Sequence, residues 1–251
     1  MKKVLFIDLD DTLFQSMAKC NGALDVKPAA FLKDGTAWSF MTQKQHQFLE
    51  LMSHDMTVIP TTARNKDALN RVNIHFSSYS IINYGGVILD PNGQLDIQWH
   101  NLMQVDMAKS LAGLEEICHL IDTYPATQGQ IANARIIRDF DTPFYVVVKD
   151  REQSASRLDL LERDVVRPWT NSESGNGFTV HRNGNNLAIL PSTLDKSHAV
   201  DHVKQRLEKE FGEILTFGMG DSKSDARFMS GCDYAIIPNA TQLAKLTIGA
   251  L

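Results

Sequence analysis

The run Val4-Leu5-Phe6-Ile7 ends on Asp8-Leu9-Asp10-Asp11-Thr12-Leu13, so a continuous apolar stretch stops on two carboxylates one residue apart. An uninterrupted apolar run of this length is the pattern of a strand buried on both faces of a parallel sheet. Residues i and i+2 of an extended chain point to one side, which aligns Asp8 with Asp10. Doubly wound α/β proteins bind their ligands outside the carboxyl ends of their strands, and that is where this pair falls.

The remaining punctuation supports that architecture. Thr42 is placed to cap a helix whose apolar positions Phe48, Leu49, Leu51 and Met52 share a face, and Met56–Ile59 follows as a second strand. Ser80–Ile82 reads as a third, and Asn83-Tyr84-Gly85-Gly86 behind it as a turn with unusual backbone angles. The segment from Gln15 to Ser39 is long enough for a flap of its own.

From Val87 onward the rhythm changes to strand pairs separated by helices. Val87–Leu89 and Leu95–Trp99 flank the turn signal Pro91-Asn92-Gly93, and Leu111, Leu114, Ile117, Cys118 and Ile121 form a helical stripe. Strands are expected near Arg135–Ile137 and Phe144–Val148. A helix over about 155–166 should end before Pro168, and a hairpin should pair Phe178–His181 with Leu187–Leu190 across Asn183-Gly184. The first rhythm resumes with a helix from Asp195 to about Phe211, a strand Ile214–Phe217, a helix after Asp221, a strand Tyr234–Ile237 and a closing helix. The expected fold class is α/β: a Rossmann-like, doubly wound parallel sheet over 1–86 and 187–251, with an inserted α+β cap over 87–186.

A chain of 251 residues buries roughly three-quarters of the surface its unfolded form exposes, so it needs no covalent staple. Its three cysteines are widely spaced and form no CxxC, which argues against a disulfide framework or a zinc site. The apolar start is broken at Asp8, too early for a signal peptide or membrane span, and a cytoplasmic location is expected. Net charge is −5 and there is no basic block, so a nucleic-acid surface is not expected. The sequence leaves the oligomeric state open.

Three pieces share the strand ends with Asp8 and Asp10: Thr61-Thr62-Ala63-Arg64, Lys196 at a helix start, and Gly218-Met219-Gly220-Asp221 followed by Asp225. Two carboxylates about 4 Å apart repel by about 4 kcal/mol at an effective dielectric near 20, so converging acids need a counterion. Magnesium prefers oxygen ligands and keeps several waters; Asp8, a backbone carbonyl at Asp10, Asp221 and a substrate phosphate oxygen make a plausible set. A carboxylate beside a phosphate is a nucleophile, and Asp8 is the candidate. Asp10 fits the acid/base, Thr62 a hydroxyl donor to phosphoryl oxygens, Lys196 a neutraliser of developing charge, and Asp225 an orienter of Lys196 or of a metal-bound water.

These residues resemble the four motifs of the haloacid dehalogenase superfamily of phosphatases. Asp8-Leu9-Asp10-Asp11-Thr12 is similar to the first, Thr62-Ala63-Arg64 to the second, Lys196 within Leu190–Lys196 to the third, and Gly220-Asp221-Ser222-Lys223-Ser224-Asp225 to the fourth. An insert between the second and third motifs resembles the large α/β caps of the Cof-like and sucrose-phosphatase-like branch. The resemblance implies Asp8 as nucleophile, Asp10 as acid/base, Thr62 and Lys196 as phosphate binders, and Asp8, Asp10 and Asp221 as magnesium ligands. Asp11 and Ala63 stand where many members carry Gly, and Ser224 where Asn is common.

The expected activity is a Mg2+-dependent phosphomonoesterase acting on a small phosphorylated metabolite, a sugar phosphate first, through an aspartyl-phosphate. The alternatives are a phosphomutase or phosphotransferase of the same superfamily and a phospho-Asp signalling module. The length and the intervening cap argue against the last.

Overall fold

The computed structural model describes residues 1–124, 132–150, 155–183 and 186–250. In chain order the first elements are β1 (Lys2–Ile7), β2 (Gln15–Ser16), β3 (Val26–Phe31), β4 (Ala37–Thr42), α1 (Gln43–Asp55), β5 (Thr57–Pro60), α2 (Lys66–Leu69), β6 (Ser80–Ile82) and β7 (Val87–Leu89). Next come α3 (Ile97–Thr123), β8 (Ala132–Asp139), β9 (Thr142–Asp150), α4 (Ala155–Leu161), α5 (Arg167–Thr170), β10 (Phe178–Asn183) and β11 (Asn186–Pro191). The chain closes with α6 (Lys196–Phe211), β12 (Ile214–Met219), α7 (Lys223–Ser230), β13 (Tyr234–Ile236) and α8 (Gln242–Leu246).

The chain divides into two compact units, Met1–His100 with Asp195–Leu251, and Asn101–Leu194. Both edges lie later than the expected 86/87 and 186/187. Val87–Leu89 pairs antiparallel with Ser80–Ile82 and so stays with the first unit, while β11 is the central partner of β9 and β10 in the second.

The first unit is built on a parallel sheet of order β13-β12-β1-β5. Register places Ile7 beside Met219 on one side and Pro60 on the other. The carboxyl ends of the three strands therefore stand level, and Asp8 N donates to Met219 O at 2.9 Å while Thr61 N donates to Ile7 O at 2.7 Å. Val4, Leu5, Phe6 and Ile7 are fully buried, as a strand covered on both faces demands. Leu5, Ile7, Leu9, Leu13, Phe14, Ala29, Ala30, Met41 and Met219 make one continuous core, with Phe48, Leu49 and Met52 of α1 packed against it. Thr42 caps α1 in a full capping box with Gln45. Within 15–42 the chain forms a small antiparallel sheet of order β2-β4-β3, whose Ala29, Ala30 and Met41 belong to the same core.

The second unit is an antiparallel sheet of order β10-β11-β9-β8 together with helices. Its core joins the predicted stripe Leu114, Ile117 and Ile121 to Val146, Val148, Leu187 and Ile189. The turn expected at Asn183-Gly184 reaches Gly184, outside the described residues.

Two local expectations are corrected. Leu95–Trp99 is not a strand: Asp96 Oδ1 accepts from Trp99 N at 3.1 Å, an N-cap that starts α3 at Ile97. The helix after Ala155 does not stop before Pro168, because a π-helical turn over Glu162–Val166 intervenes and α5 continues through it. Arg167 N reaches back five residues to Glu162 O, an offset that shifts the carbonyls a proline ring would otherwise strike. Among the described residues no helix is long and apolar enough to cross a membrane.

Candidate active site

Four of the residues singled out in the sequence meet at the carboxyl ends of β1 and β12. Lys196 Nζ lies 2.7 Å from Asp8 Oδ1 and 2.7 Å from Asp225 Oδ1. Oxygens of Asp8, Asp221 and Asp225 all lie within 4.8 Å of one another. Lys196 is 3% exposed, Asp225 1%, Asp8 6% and Asp221 7%. The lysine reaches this point because Asp195 caps α6, its side chain accepting from Ser197 N at 2.8 Å, while Ala199, Val200, Val203 and Leu207 anchor the buried face. Asp225 is fixed by Ser222, whose N and Oγ donate to its Oδ2 at 3.0 and 2.7 Å. Gly220 is obligatory here, since a Cβ would sit 2.4 Å from the Asp225 Cβ.

Burial and charge divide the three acids. Burial works to raise Asp225, but Lys196 and the two Ser222 bonds outweigh it and hold that carboxyl below its usual range. Burial dominates at Asp8 and, with the charges of Asp225 and Asp221, lifts its carboxyl well above the ordinary value despite Lys196. Burial, then Asp225 and Asp11, push Asp221 up to about 7. Burial favours the neutral amine at Lys196, yet Asp225 and Asp8 prevail and raise its pKa. The two raised carboxyls are those a cation would stabilise.

Asp10 is placed differently. Its carboxylate is gripped by Arg64, with Nε to Oδ2 at 2.6 Å and Nη2 to Oδ1 at 2.7 Å, and it is outside the Asp8–Asp221–Asp225 group. Thr62 is 1% exposed one residue beyond Thr61, and its Oγ1 accepts from Arg64 N at 3.1 Å. Asp11 has φ 64, the left-handed backbone that makes Gly a natural occupant and that Asp tolerates. Its carboxylate pairs with Lys19 at 2.7 Å.

Sequence reasoning passed over two contributors. Thr12 Oγ1 lies 3.3 Å from both Asp8 Oδ2 and Asp221 Oδ1, tying the first motif to the fourth. The second is Arg64, which holds Asp10. Its guanidinium also covers the Phe14 ring at 5.2 Å and donates to Ala68 O at 3.2 Å. The Thr12 position, four after Asp8, was a usable signal; the Arg64 partner was not, because it depends on strand order.

Asn83-Tyr84-Gly85 closes the first unit's site region with three consecutive positive φ values, 53, 55 and 95. Gly85 is required, since a Cβ there would meet Asp195 O at 2.6 Å. A bulky residue at φ 55 is a true outlier, of the kind that costs on the order of 1–3 kcal/mol.

No protein-family model matches the chain. A stretch of 125 residues, 49% of the chain, is 28% identical to a glucosyl-3-phosphoglycerate/mannosyl-3-phosphoglycerate phosphatase of Persephonella marina and spans 40% of that relative's length. Among solved structures, the sucrose-phosphatase of Synechocystis sp. in complex with sucrose and phosphate matches with a TM-score of 0.56 at 17% identity, over 97% of this chain and 86% of that one. The C-terminal domain of C. albicans trehalose-6-phosphate phosphatase gives 0.59 at 12% identity, over 91% and 72%. A trehalose-6-phosphate phosphatase related protein gives 0.52 at 14% identity, over 96% and 89%. The chain shares its fold, a Rossmann-like core carrying an insert, with the sucrose-phosphatase and the trehalose-6-phosphate phosphatase domain, and the relative in sequence is also a phosphatase.

Proposed function

We propose that the chain is a magnesium-dependent phosphomonoesterase that hydrolyses a small phosphorylated metabolite, a sugar phosphate, through an aspartyl-phosphate on Asp8. The observation that carries the reading is Lys196 held at 2.7 Å from both Asp8 and Asp225, with Asp221 in the same buried group. The names of the sequence relative and of the structural neighbours supply the substrate class.

The donor set fits magnesium. Its groups are hard oxygens, and the carboxyl of Asp221 carries a proton up to about pH 7 that a dication can displace. Asp8, Asp221 and the backbone carbonyl of Asp10 would hold the ion. When bound, it would neutralise phosphoryl oxygens and so reduce their repulsion of an incoming carboxylate.

The chain's own groups account for the rest. An Asp8 oxygen attacks phosphorus in line, the bond to the leaving oxygen breaks, and Asp10, protonated once Arg64 yields one of its two bonds, hands that oxygen its proton. Asp10 then takes a proton from water, whose oxygen attacks phosphorus and restores the Asp8 carboxylate with release of inorganic phosphate. Lys196 offsets charge on the transferring group and keeps Asp8 pointed at it, and Asp225 fixes Lys196. Thr62 supplies a hydroxyl to a phosphoryl oxygen.

The experiment is phosphate release from a panel of sugar monophosphates with magnesium, and again in excess chelator. Magnesium-dependent release in equal amount to ester lost supports the reading. Accumulation of an isomeric sugar phosphate would make the protein a mutase, and a stable phosphoprotein without turnover would make it a signalling module.

A further inference from the structure

Tyr84 has been given no role by the motifs, and its backbone is the least expected in the first unit. The turn Asn83–Gly85 runs through three left-handed residues, a shape that Gly adopts freely and Asn tolerates, whereas a tyrosine there is strained. Small residues would build the same turn at lower cost. A strained residue that persists is over-determined by its surroundings, and such residues gather at functional sites.

The surroundings are the phosphoryl site. Tyr84 N donates to Thr62 O at 3.1 Å, and Asn83 N donates to Arg64 O at 2.8 Å, which fastens the turn to the second motif. Gly85 packs against Asp195 O and the Lys196 Cα so closely that no side chain fits between them. Trp99 Nε1 donates to Gly85 O at 2.9 Å and holds that contact from behind. One distorted turn thus touches both the strand end bearing Thr62 and the helix start bearing Lys196. The tyrosine itself is 5% exposed. Its phenol is pushed upward by burial first and then by the charges of Asp8, Asp225 and Asp10, so the ring stays neutral within reach of the carboxylates.

Resting on the phosphomonoesterase reading, we propose that Tyr84 is a positioning residue: its buried ring wedges the Asn83–Gly85 turn so that Thr62 and Lys196 are held at fixed places around Asp8. Its action passes through Thr62 and Lys196.

Three purified proteins test this: wild type, Tyr84→Asn and Tyr84→Phe, each measured for thermal midpoint and for kcat and KM on p-nitrophenyl phosphate with magnesium. Losing a buried aromatic ring outweighs the backbone strain that Asn relieves, so Tyr84→Asn should melt lower than wild type, while kcat of the folded protein falls at least tenfold and KM moves less than threefold. Tyr84→Phe keeps the wedge and should retain at least half of the wild-type kcat. A Tyr84→Asn protein that folds and keeps kcat within threefold of wild type, or that fails to fold, overturns the proposal. So does a Tyr84→Phe protein as impaired as Tyr84→Asn. An inactive wild type would instead end the phosphomonoesterase reading, from which this inference starts.

Discussion

Arg64 grips Asp10 through two parallel bonds, Nε to Oδ2 at 2.6 Å and Nη2 to Oδ1 at 2.7 Å, although the residues are 54 positions apart. The fork is anchored behind by the Phe14 ring and by Ala68 O. Arg64→Ala is expected to leave Asp10 misaligned and to lower kcat by about 10²-fold with little change in KM, since misplacement of a proton donor by about 1 Å costs that much. Arg64→Lys should not restore activity, because an ammonium cannot form the fork. Steady-state kinetics of the two variants decide it; full rescue by lysine would show that only the charge matters.

Asp8→Asn removes the nucleophile while keeping the shape of the side chain. Turnover of an aryl phosphate is expected to fall by more than about 10³-fold, as loss of a covalent catalyst does. Lys196 keeps Asp225 at 2.7 Å, so the fold should survive and circular dichroism should be unchanged. Residual activity near the wild-type level would move the nucleophile elsewhere.

Much of this was legible because it is local. The apolar run of β1, the Thr42–Gln45 box and the Asp195 cap are written within a few residues, and each element formed where its signals lie. Leu95–Trp99 alternates apolar and polar residues as a strand does, yet it opens a helix. What decides is the Asp96 cap, which Arg206 and His202 hold through Oδ2 at 2.9 and 3.1 Å from more than a hundred residues away. The same limit applies in the site. Asp8, Asp221, Asp225 and Lys196 announce themselves by position at strand and helix ends. The Thr12 link between Asp8 and Asp221 and the Arg64 grip on Asp10 require β12, β1 and β5 to be adjacent, which only the folded sheet provides.

The Asp221 carboxyl yields a pH signature. Its pKa rises from 3.8 to about 7 on folding, so between those values the folded chain keeps a proton the unfolded chain has lost. The Asp221 contribution to the stability of the metal-free protein should therefore fall as pH rises through that window and level off above it. Magnesium competes with the same proton, so the rise in thermal midpoint on adding magnesium should be small at pH 5 and largest above pH 7. Asp221→Asn is expected to reduce the slope of the metal-free profile, leaving the part that Asp8 contributes, and to remove most of the magnesium increment. Melting curves at four pH values, with and without magnesium, make the check, and an increment that is larger at pH 5 than at pH 8 would contradict it.

Gly220 offers the most local test of how tightly the site is built. A methyl group there would stand 2.4 Å from the Asp225 Cβ and 2.7 Å from its Cγ, both inside any allowed contact. Neither can yield freely, because Asp225 is pinned by Ser222 and Lys196 and is 1% exposed. Gly220→Ala should thus destabilise by about 1–3 kcal/mol, the usual range for forcing one extra carbon into a packed interior. Displacement of Asp225 would also release one of the two bonds that aim Lys196, so kcat should drop further than the loss of folded protein explains. Chemical denaturation gives the stability change and kinetics on the folded fraction gives the second, and an unimpaired kcat would show that Asp225 is not needed to place the lysine.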